Sequence, residues 1–412
     1  MKLIVHKILN NRLFIRLISL GDQVLFTGGN FLLTILFTRY YKDTELAAYG
    51  MAVSAALILQ GVQRNSYVVQ NSLLSAHVLM SRGRKVLAEQ IVAVVPLLCL
   101  LAVLSVITWI FWPGSDFSLI TTASTICFSI YAQLEFERMM LVKYKKIIIP
   151  FITSCIYVLL VTGLIFTHET FSFYEVMVIL LVFTTLKSLI IIFIVGKPDF
   201  KGGWNYLRSD MRRNAISSLM GVIGYAGYMQ APVIILGIFC PQKVEVAAYV
   251  AMRGVMQPLA LVIRSMDIID KSYFHEKSTG TGGNIRKVMN AQIMLYGAVS
   301  LVLSLGISIF GKPIVQLLYH GKYLEYTNNI YFWGVITVFF AILQPLESVI
   351  IIYKQLPRYN IIRLWIGIGT CLLVCLTAKP FGALGAVFVS MLASIAGAAA
   401  AILTAHKYLK NT

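Results

Sequence analysis

Four basic residues, Arg64, Lys187, Arg253 and Arg264, stand inside long apolar runs. A charge at the centre of a bilayer costs about 2.5–3.5 kcal/mol on insertion scales, so such a group normally faces a partner or a polar cavity. Arg253, Gln257, Arg264 and Asp267 recur at spacings that keep them on one narrow face of a helix turning about 100° per residue. Gln60, Arg64, Tyr67 and Asn71 do the same in an earlier run, as do Gln23, Thr27, Asn30 and Thr34 near the start, with Asp22 beside them. Three polar stripes of this kind suit a cavity that binds a polar cargo inside a membrane. The carboxylates Asp22, Asp267 and Glu347 are the groups able to exchange a proton or cation there. Asp267 is close enough to Arg264 to be held ionised, whereas Asp22 has no basic residue at helical spacing, which makes it the better candidate for ion coupling. Structural roles compete with each of these readings. Arg264 and Asp267 can staple helices, Arg64 and Lys187 can snorkel to a headgroup layer, and Glu347 can serve either as a packing contact or as a proton site.

The elements that position these residues follow from composition. The chain has 412 residues, 58% of them hydrophobic and 13% charged, with a mean hydropathy of +0.80. Soluble domains carry about 25% charged residues. Runs such as "LLCLLAVLSVITWIFW" (97–112) and "VMVILLVFTTLKSLIIIFIVG" (176–196) approach or reach the roughly 20 residues that span a bilayer. Backbone groups in lipid must pair within their own segment, which predicts helices, and the alternating ten-residue pattern of a barrel is missing. The expected class is an all-α polytopic membrane protein. Net charge +18 fits Lys- and Arg-rich cytoplasmic loops, and no run of five like charges points to nucleic acid. The start, "MKLIVHKILNNRLFIR", lacks a small-residue cleavage site and reads as an interfacial helix. The six cysteines lie in apolar runs; Cys371 and Cys375 share a face, but no His or carboxylate joins them, so no metal site is expected.

Apolar runs between polar punctuation give about twelve spans, near 14–38, 46–79, 87–112, 117–140, 147–167, 173–195, 214–240, 246–273, 288–311, 328–353, 360–378 and 382–406. The most polar linker, 196–213, divides a six-helix bundle at 1–195 from a second at 214–412. Placing the N-terminus inside puts 25 of the 35 Lys and Arg residues, among them Arg138 and Arg363, in inner segments and six in outer ones. Both termini are therefore expected in the cytoplasm. "ELAAYGMA" (45–52) returns as "EVAAYVAM" (245–252), and the same offset pairs Gly21 with Gly221 and Arg64 with Arg264. Six helices per half give both halves the same orientation, as expected of a parallel repeat related by a pseudo-two-fold axis along the membrane normal. Arg64 and Arg264 would lie about 28 Å along their helices from the outer glutamates. Gly28-Gly29, Pro232, Pro258 and Pro345 are expected to interrupt spans.

The two six-helix halves, the pattern "GDQVLFTGGNFLLTILFTRYY" (21–41) and the following "ELAAYGMAVSAALILQGVQRN" (45–65) resemble the multidrug/oligosaccharidyl-lipid/polysaccharide (MOP) exporter superfamily. The likeness is nearest to its polysaccharide branch, the Wzx-type O-antigen and exopolysaccharide flippases. It extends over the whole chain in architecture and over about residues 20–75 in pattern. The resemblance implies a MATE-like pair of bundles in a bacterial inner membrane, with helices 1, 2, 7 and 8 lining a cavity. It also implies a cargo, an undecaprenyl-diphosphate-linked oligosaccharide moved from the inner to the outer leaflet without enzymatic chemistry or cofactor. Polysaccharide polymerase and chain-length proteins would be natural partners. Arg64, Arg253 and Arg264 match the cavity arginines thought to meet pyrophosphate. A guanidinium fork fits phosphate geometry, while Gln23, Asn30, Gln60, Asn71, Gln257, Tyr225 and Tyr228 can contact sugar. A drug or organic-cation antiporter of the same superfamily is the alternative, kept open by the three carboxylates. A membrane glycosyltransferase or polymerase would need a large outer loop, and the longest outer segment, 311–327, carries only Glu325 as an acidic group.

Overall fold

The computed structural model describes residues 12–68, 71, 76–144, 146–260, 263, 285–353 and 355–409, and every regular element among them is helical. The first six helices are α1 (Arg12–Tyr40), α2 (Asp43–Gln63), α3 (Ala76–Phe111), α4 (Asp116–Lys143), α5 (Ile148–Phe166) and α6 (Phe173–Val195). There follow α7 (Phe200–Met229), α8 (Ala231–Phe239), α9 (Lys243–Val255), α10 (Ile285–Ile309), α11 (Gly311–Tyr319), α12 (Asn329–Ile352) and α13 (Leu356–Leu409). Among the described residues nine helices are long and apolar enough to cross a membrane, or ten if the end of α7 and α8, bent by 54°, form one span. Gly382, at φ 54°, breaks α13 into stretches 356–381 and 383–409, each longer than the roughly 20 residues a bilayer requires. The chain is thus a multi-pass, all-α membrane protein built as two helical bundles.

Local chemistry sets the helix ends. Ser172 accepts from the Glu175 amide while the Glu175 side chain returns to the Ser172 amide, a capping box that starts α6. Ser115 accepts from the Ser118 amide at 3.2 Å and starts α4. Of the four expected interruptions, two occur. Pro232 opens α8 after the break at Gln230, and α9 ends at Val255, just before Pro258. α1 passes through Gly28-Gly29 and α12 contains Pro345; packed neighbours can hold such a helix together. At Gly29 the missing side chain serves close approach, because a Cβ there would stand 2.6 Å from the Tyr157 ring.

Two other expectations change. The basic stretch 81–85, read as a loop between spans two and three, lies inside α3, and Gly83 makes room there for the Tyr144 hydroxyl. The polar segment 196–213 is helical from Phe200 onward. Asp199 receives the Gly202 amide at 3.1 Å, so an acidic cap launches a helix where polarity alone suggested a connector.

The described chain packs as two compact units. The first comprises Met1–Leu36 with Ala55–Ala215, and the second Phe37–Ser54 with Ile216–Thr412. In the first unit α4 is central, packed against α3 and α6. Ser105–Thr122, Thr108–Thr121 and Ser118–Tyr174 hydroxyl pairs at 2.7–3.0 Å tie it to both. Leu100, Val103, Val106, Trp109 and Ile110 of α3 are exposed, as a lipid-facing flank requires. In the second unit α12 holds the matching central place between α10 and α13.

The repeated octapeptides meet inside the second unit. Ala47, Ala48, Ala247 and Ala248 are buried, and a Cβ at Gly50 would lie 2.1 Å from Val250. The matched glutamates have different tasks. Glu45 accepts from the Lys42 amide at 2.8 Å and caps its own helix. Glu245 accepts the Ala383 amide at 2.7 Å and the Tyr326 hydroxyl at 2.8 Å, capping the second stretch of α13.

Candidate functional site

Ionisable groups within the first unit form a compact cluster around Phe26. Arg138 of α4 donates through Nε to Asp22 Oδ2 of α1 at 2.5 Å, and Ser154 of α5 donates to Oδ1 at 2.5 Å. Lys187 Nζ of α6 lies 2.6 Å from Glu137 Oε2 of α4. The guanidinium of Arg138 and the ammonium of Lys187 stand 5.6 and 5.9 Å from the Phe26 ring centroid. Two cations and two carboxylates are thereby neutralised within the bundle. A narrow crevice beside them is lined by Phe26, Gln133, Tyr157, Thr184 and Lys187.

This arrangement corrects three readings of the sequence. Asp22 does have a basic partner, supplied by a different helix and so invisible to spacing along its own. Asp22 is therefore committed to an ion pair and loses its advantage over Asp267 as a candidate proton carrier. Lys187 is ion-paired and buried instead of snorkelling. Arg138, counted among the inner-loop charges, turns into the bundle.

The second unit also contains an ion pair. Arg363 Nη1 stands 3.0 Å from Glu347 Oε1, with its guanidinium 5.0 Å from the Tyr225 ring and 5.4 Å from Tyr359. Glu347 thus has a structural partner, and Arg363, read as an inner-loop charge, is a core residue of this bundle. The backbone after α4 and after α12 follows one pattern. Tyr144 and Tyr353 end these helices at φ −79°, ψ 7° and φ −81°, ψ 8°. The next bonds, Lys146 amide to Leu141 carbonyl and Gln355 amide to Ile350 carbonyl, match as well, at 2.8 and 2.9 Å. Carried along this register, Arg138 corresponds to Glu347 and Ser154 to Arg363.

Arg253 of α9 has other surroundings. Its Nη2 donates to Gln230 Oε1 at 2.9 Å and its Nη1 to Ser54 Oγ at 3.4 Å, and the guanidinium lies 5.8 Å from the Trp333 ring centroid. These partners are neutral. The residue lies about 15 Å along the helix from Lys243 and its side chain is half-buried. Gln257 follows one turn later, its Oε1 buried with no hydrogen-bond partner. Arg264 and Asp267 lie outside the described residues.

The stripe predicted on the second span divides in two. A single π turn, Arg64–Val68, follows α2 and shifts the helical phase, since π geometry bonds i to i+5. Arg64 is exposed and Gln60 half-buried, while Tyr67 and Asn71 turn inward. Asn71 donates to Glu89 Oε2 at 2.8 Å. Tyr67 donates to Gln90, which Gln63 also reaches at 2.7 Å. On α1, Asn30 accepts from Tyr157 at 2.8 Å and is buried, whereas Gln23 is half-buried. Tyr225 and Tyr228 pack edge to face within the second unit. Glu89 and Glu137 escaped the sequence reading; each is an acidic residue in or beside an apolar run, a signal as strong as the one that drew attention to Glu347.

No protein-family model and no curated protein matches the chain. Solved structures do. The chain is similar to the lipid II flippase MurJ in its inward closed conformation, with a TM-score of 0.68 at 13% identity over 96% of this chain and 87% of that one. It is also similar to an outward-facing MATE family multidrug resistance transporter of the MOP superfamily, with a TM-score of 0.61 at 12% identity over 98% of both chains. A MOP superfamily transporter from Pyrococcus furiosus gives 0.56 at 12% identity, over 97% of this chain and 96% of that one. At these identities the likeness establishes the fold alone, the one these solved structures share.

Proposed function

We propose that this chain is a flippase that moves an undecaprenyl-diphosphate-linked oligosaccharide across a bacterial cytoplasmic membrane by alternating access. The observation that carries the reading is the contrast among membrane-depth cations. Arg138, Lys187 and Arg363 each sit beside a carboxylate, whereas the hydrogen bonds of Arg253 go to neutral groups. A positive charge held in place by neutral acceptors favours an anionic guest, and the guanidinium fork suits a pyrophosphate. Arg64 and Arg264 would extend the same role, with Gln23, Gln60 and Gln257 meeting sugar hydroxyls. Similarity in fold to a lipid II flippase is consistent with a lipid-linked cargo.

A drug or organic-cation antiporter is the second reading, favoured by the MATE structures that this fold matches over almost the full chain. Against it, Asp22, Glu137 and Glu347 already hold cations of the protein itself. Equilibrium binding to the purified protein separates the two. The flippase reading expects saturable binding of a labelled undecaprenyl-diphosphate oligosaccharide and none of a lipophilic cationic dye. Saturable dye binding without binding of the pyrophosphate lipid would replace it with the antiporter.

A further inference from the structure

At one end of the first unit, the start of α7 is locked against α3 and presents a cationic, aromatic surface. α6 ends at Val195, where Gly196 takes φ 90°, and Phe193, 90% exposed, marks lipid contact one turn earlier. The chain then folds back on α3. The Asp199 amide donates to the Arg84 carbonyl at 3.0 Å, and Arg84 Nε donates to the Lys197 carbonyl at 2.6 Å. The first turns of α7 are two-sided. Gly203 sits so close to α3 that a Cβ would stand 2.6 Å from Ala88, and Leu207 is buried beside it. The flank beside this contact shows Phe200 and Trp204, both more than half exposed, with Lys201 and Arg208 exposed among them. Arg82, Lys85 and Lys197 add exposed positive charge from the adjoining backbone. Among the described side chains of this surface, the carboxylate of Asp199 is occupied in capping α7 through the Gly202 amide.

We propose that this surface binds the headgroups of anionic phospholipids in the leaflet at that end of the protein. Trp204 and Phe200 enter the interfacial layer, and Lys197, Lys201 and Arg208 meet the phosphates. Aromatic side chains favour the boundary between tails and headgroups, and basic residues immediately beyond a span attract acidic lipid electrostatically. Rigid attachment through Gly203 and Asp199 sets the depth of the indole, which gives a readout tied to this surface alone.

The full-length protein is reconstituted into vesicles containing brominated phosphatidylglycerol or brominated phosphatidylcholine at equal mole fraction. The fluorescence of Trp204 is isolated as the difference from Trp204→Phe. Quenching by the brominated phosphatidylglycerol is expected to exceed that by phosphatidylcholine about threefold. The ratio should fall to about one in Lys197→Gln/Lys201→Gln/Arg208→Gln, which leaves Gly203 and Leu207 untouched. High salt should lower the ratio in the unsubstituted protein too, a result that does not depend on the variant folding. Equal quenching by the two lipids at low salt overturns the proposal, and so does a preference that survives both salt and the triple substitution.

Discussion

The two bundles place an ion pair at corresponding positions but assign the charges differently. In the first unit the carboxylate belongs to α1 (Asp22), the cation to α4 (Arg138) and a hydroxyl to α5 (Ser154). At the corresponding places of the second unit stand Val222, Glu347 and Arg363, so the carboxylate has moved to the central helix and the cation to the next one. Burial differs as well, with Asp22 at 4% side-chain exposure and Glu347 at 22%. Repeats that diverge in sequence can thus retain a neutral pair at one level of the bundle while exchanging every residue that forms it. Deep charges that are matched in this way hold helices together. Arg253 differs from them in that its hydrogen bonds go to the neutral groups Ser54 and Gln230.

The largest effect expected is loss of one partner from the more buried pair. Arg138→Leu leaves Asp22 uncompensated and should cost about 3–5 kcal/mol of stability, measured by thermal or denaturant unfolding in detergent. Arg363→Leu should cost about 1–3 kcal/mol, because water reaches Glu347 more easily. Equal losses would mean that burial does not distinguish the pairs. A sharper test transplants one arrangement into the other. Arg138→Glu alone sets like charges together, whereas Asp22→Val/Arg138→Glu/Ser154→Arg recreates the second unit's pattern. The triple variant should recover at least about 2 kcal/mol relative to the single one, a non-additivity expected of residues in direct contact.

Smaller effects probe the octapeptide repeat and the glycine pair of α1. Gly50→Val drives a side chain into Val250 and should cost about 1–3 kcal/mol, as overpacking does. Gly28→Ala, with no atom within 4 Å of its Cβ position, should be neutral or slightly stabilising. Among the destabilising changes, the caps come last. Glu245→Gln weakens the start of the second stretch of α13 and should cost about 1 kcal/mol, while Glu45→Gln loses a few tenths in its own first turn. Unfolding midpoints of the two variants, compared side by side, check that order.

The fold was largely legible in the sequence because apolar length and capping chemistry act locally. The runs ending at Phe111, Lys143 and Val195 fall within a few residues of their expected limits. Legibility failed where two helices had to be known together. Helical spacing around Asp22 cannot reveal Arg138, which is 116 residues away, and Lys187 resembles a snorkelling cation until Glu137 is placed beside it. A uniform helical period also could not reveal the π turn after Gln63, which separates exposed Arg64 from buried Tyr67 and Asn71. Arg253 stood out in the sequence as a cation within an apolar run, but the neutrality of its hydrogen-bond partners emerges only from the packing of Ser54 and Gln230 around it.

The distinction between matched and unmatched charge is tested most directly by binding of the labelled pyrophosphate-linked oligosaccharide to Arg253→Gln, in a preparation whose unfolding midpoint equals that of the parent. Removal of a charge-assisted, bidentate contact should weaken binding at least about tenfold, which corresponds to roughly 1.4 kcal/mol. Unchanged affinity in the folded variant would contradict the assignment of Arg253 to the cargo.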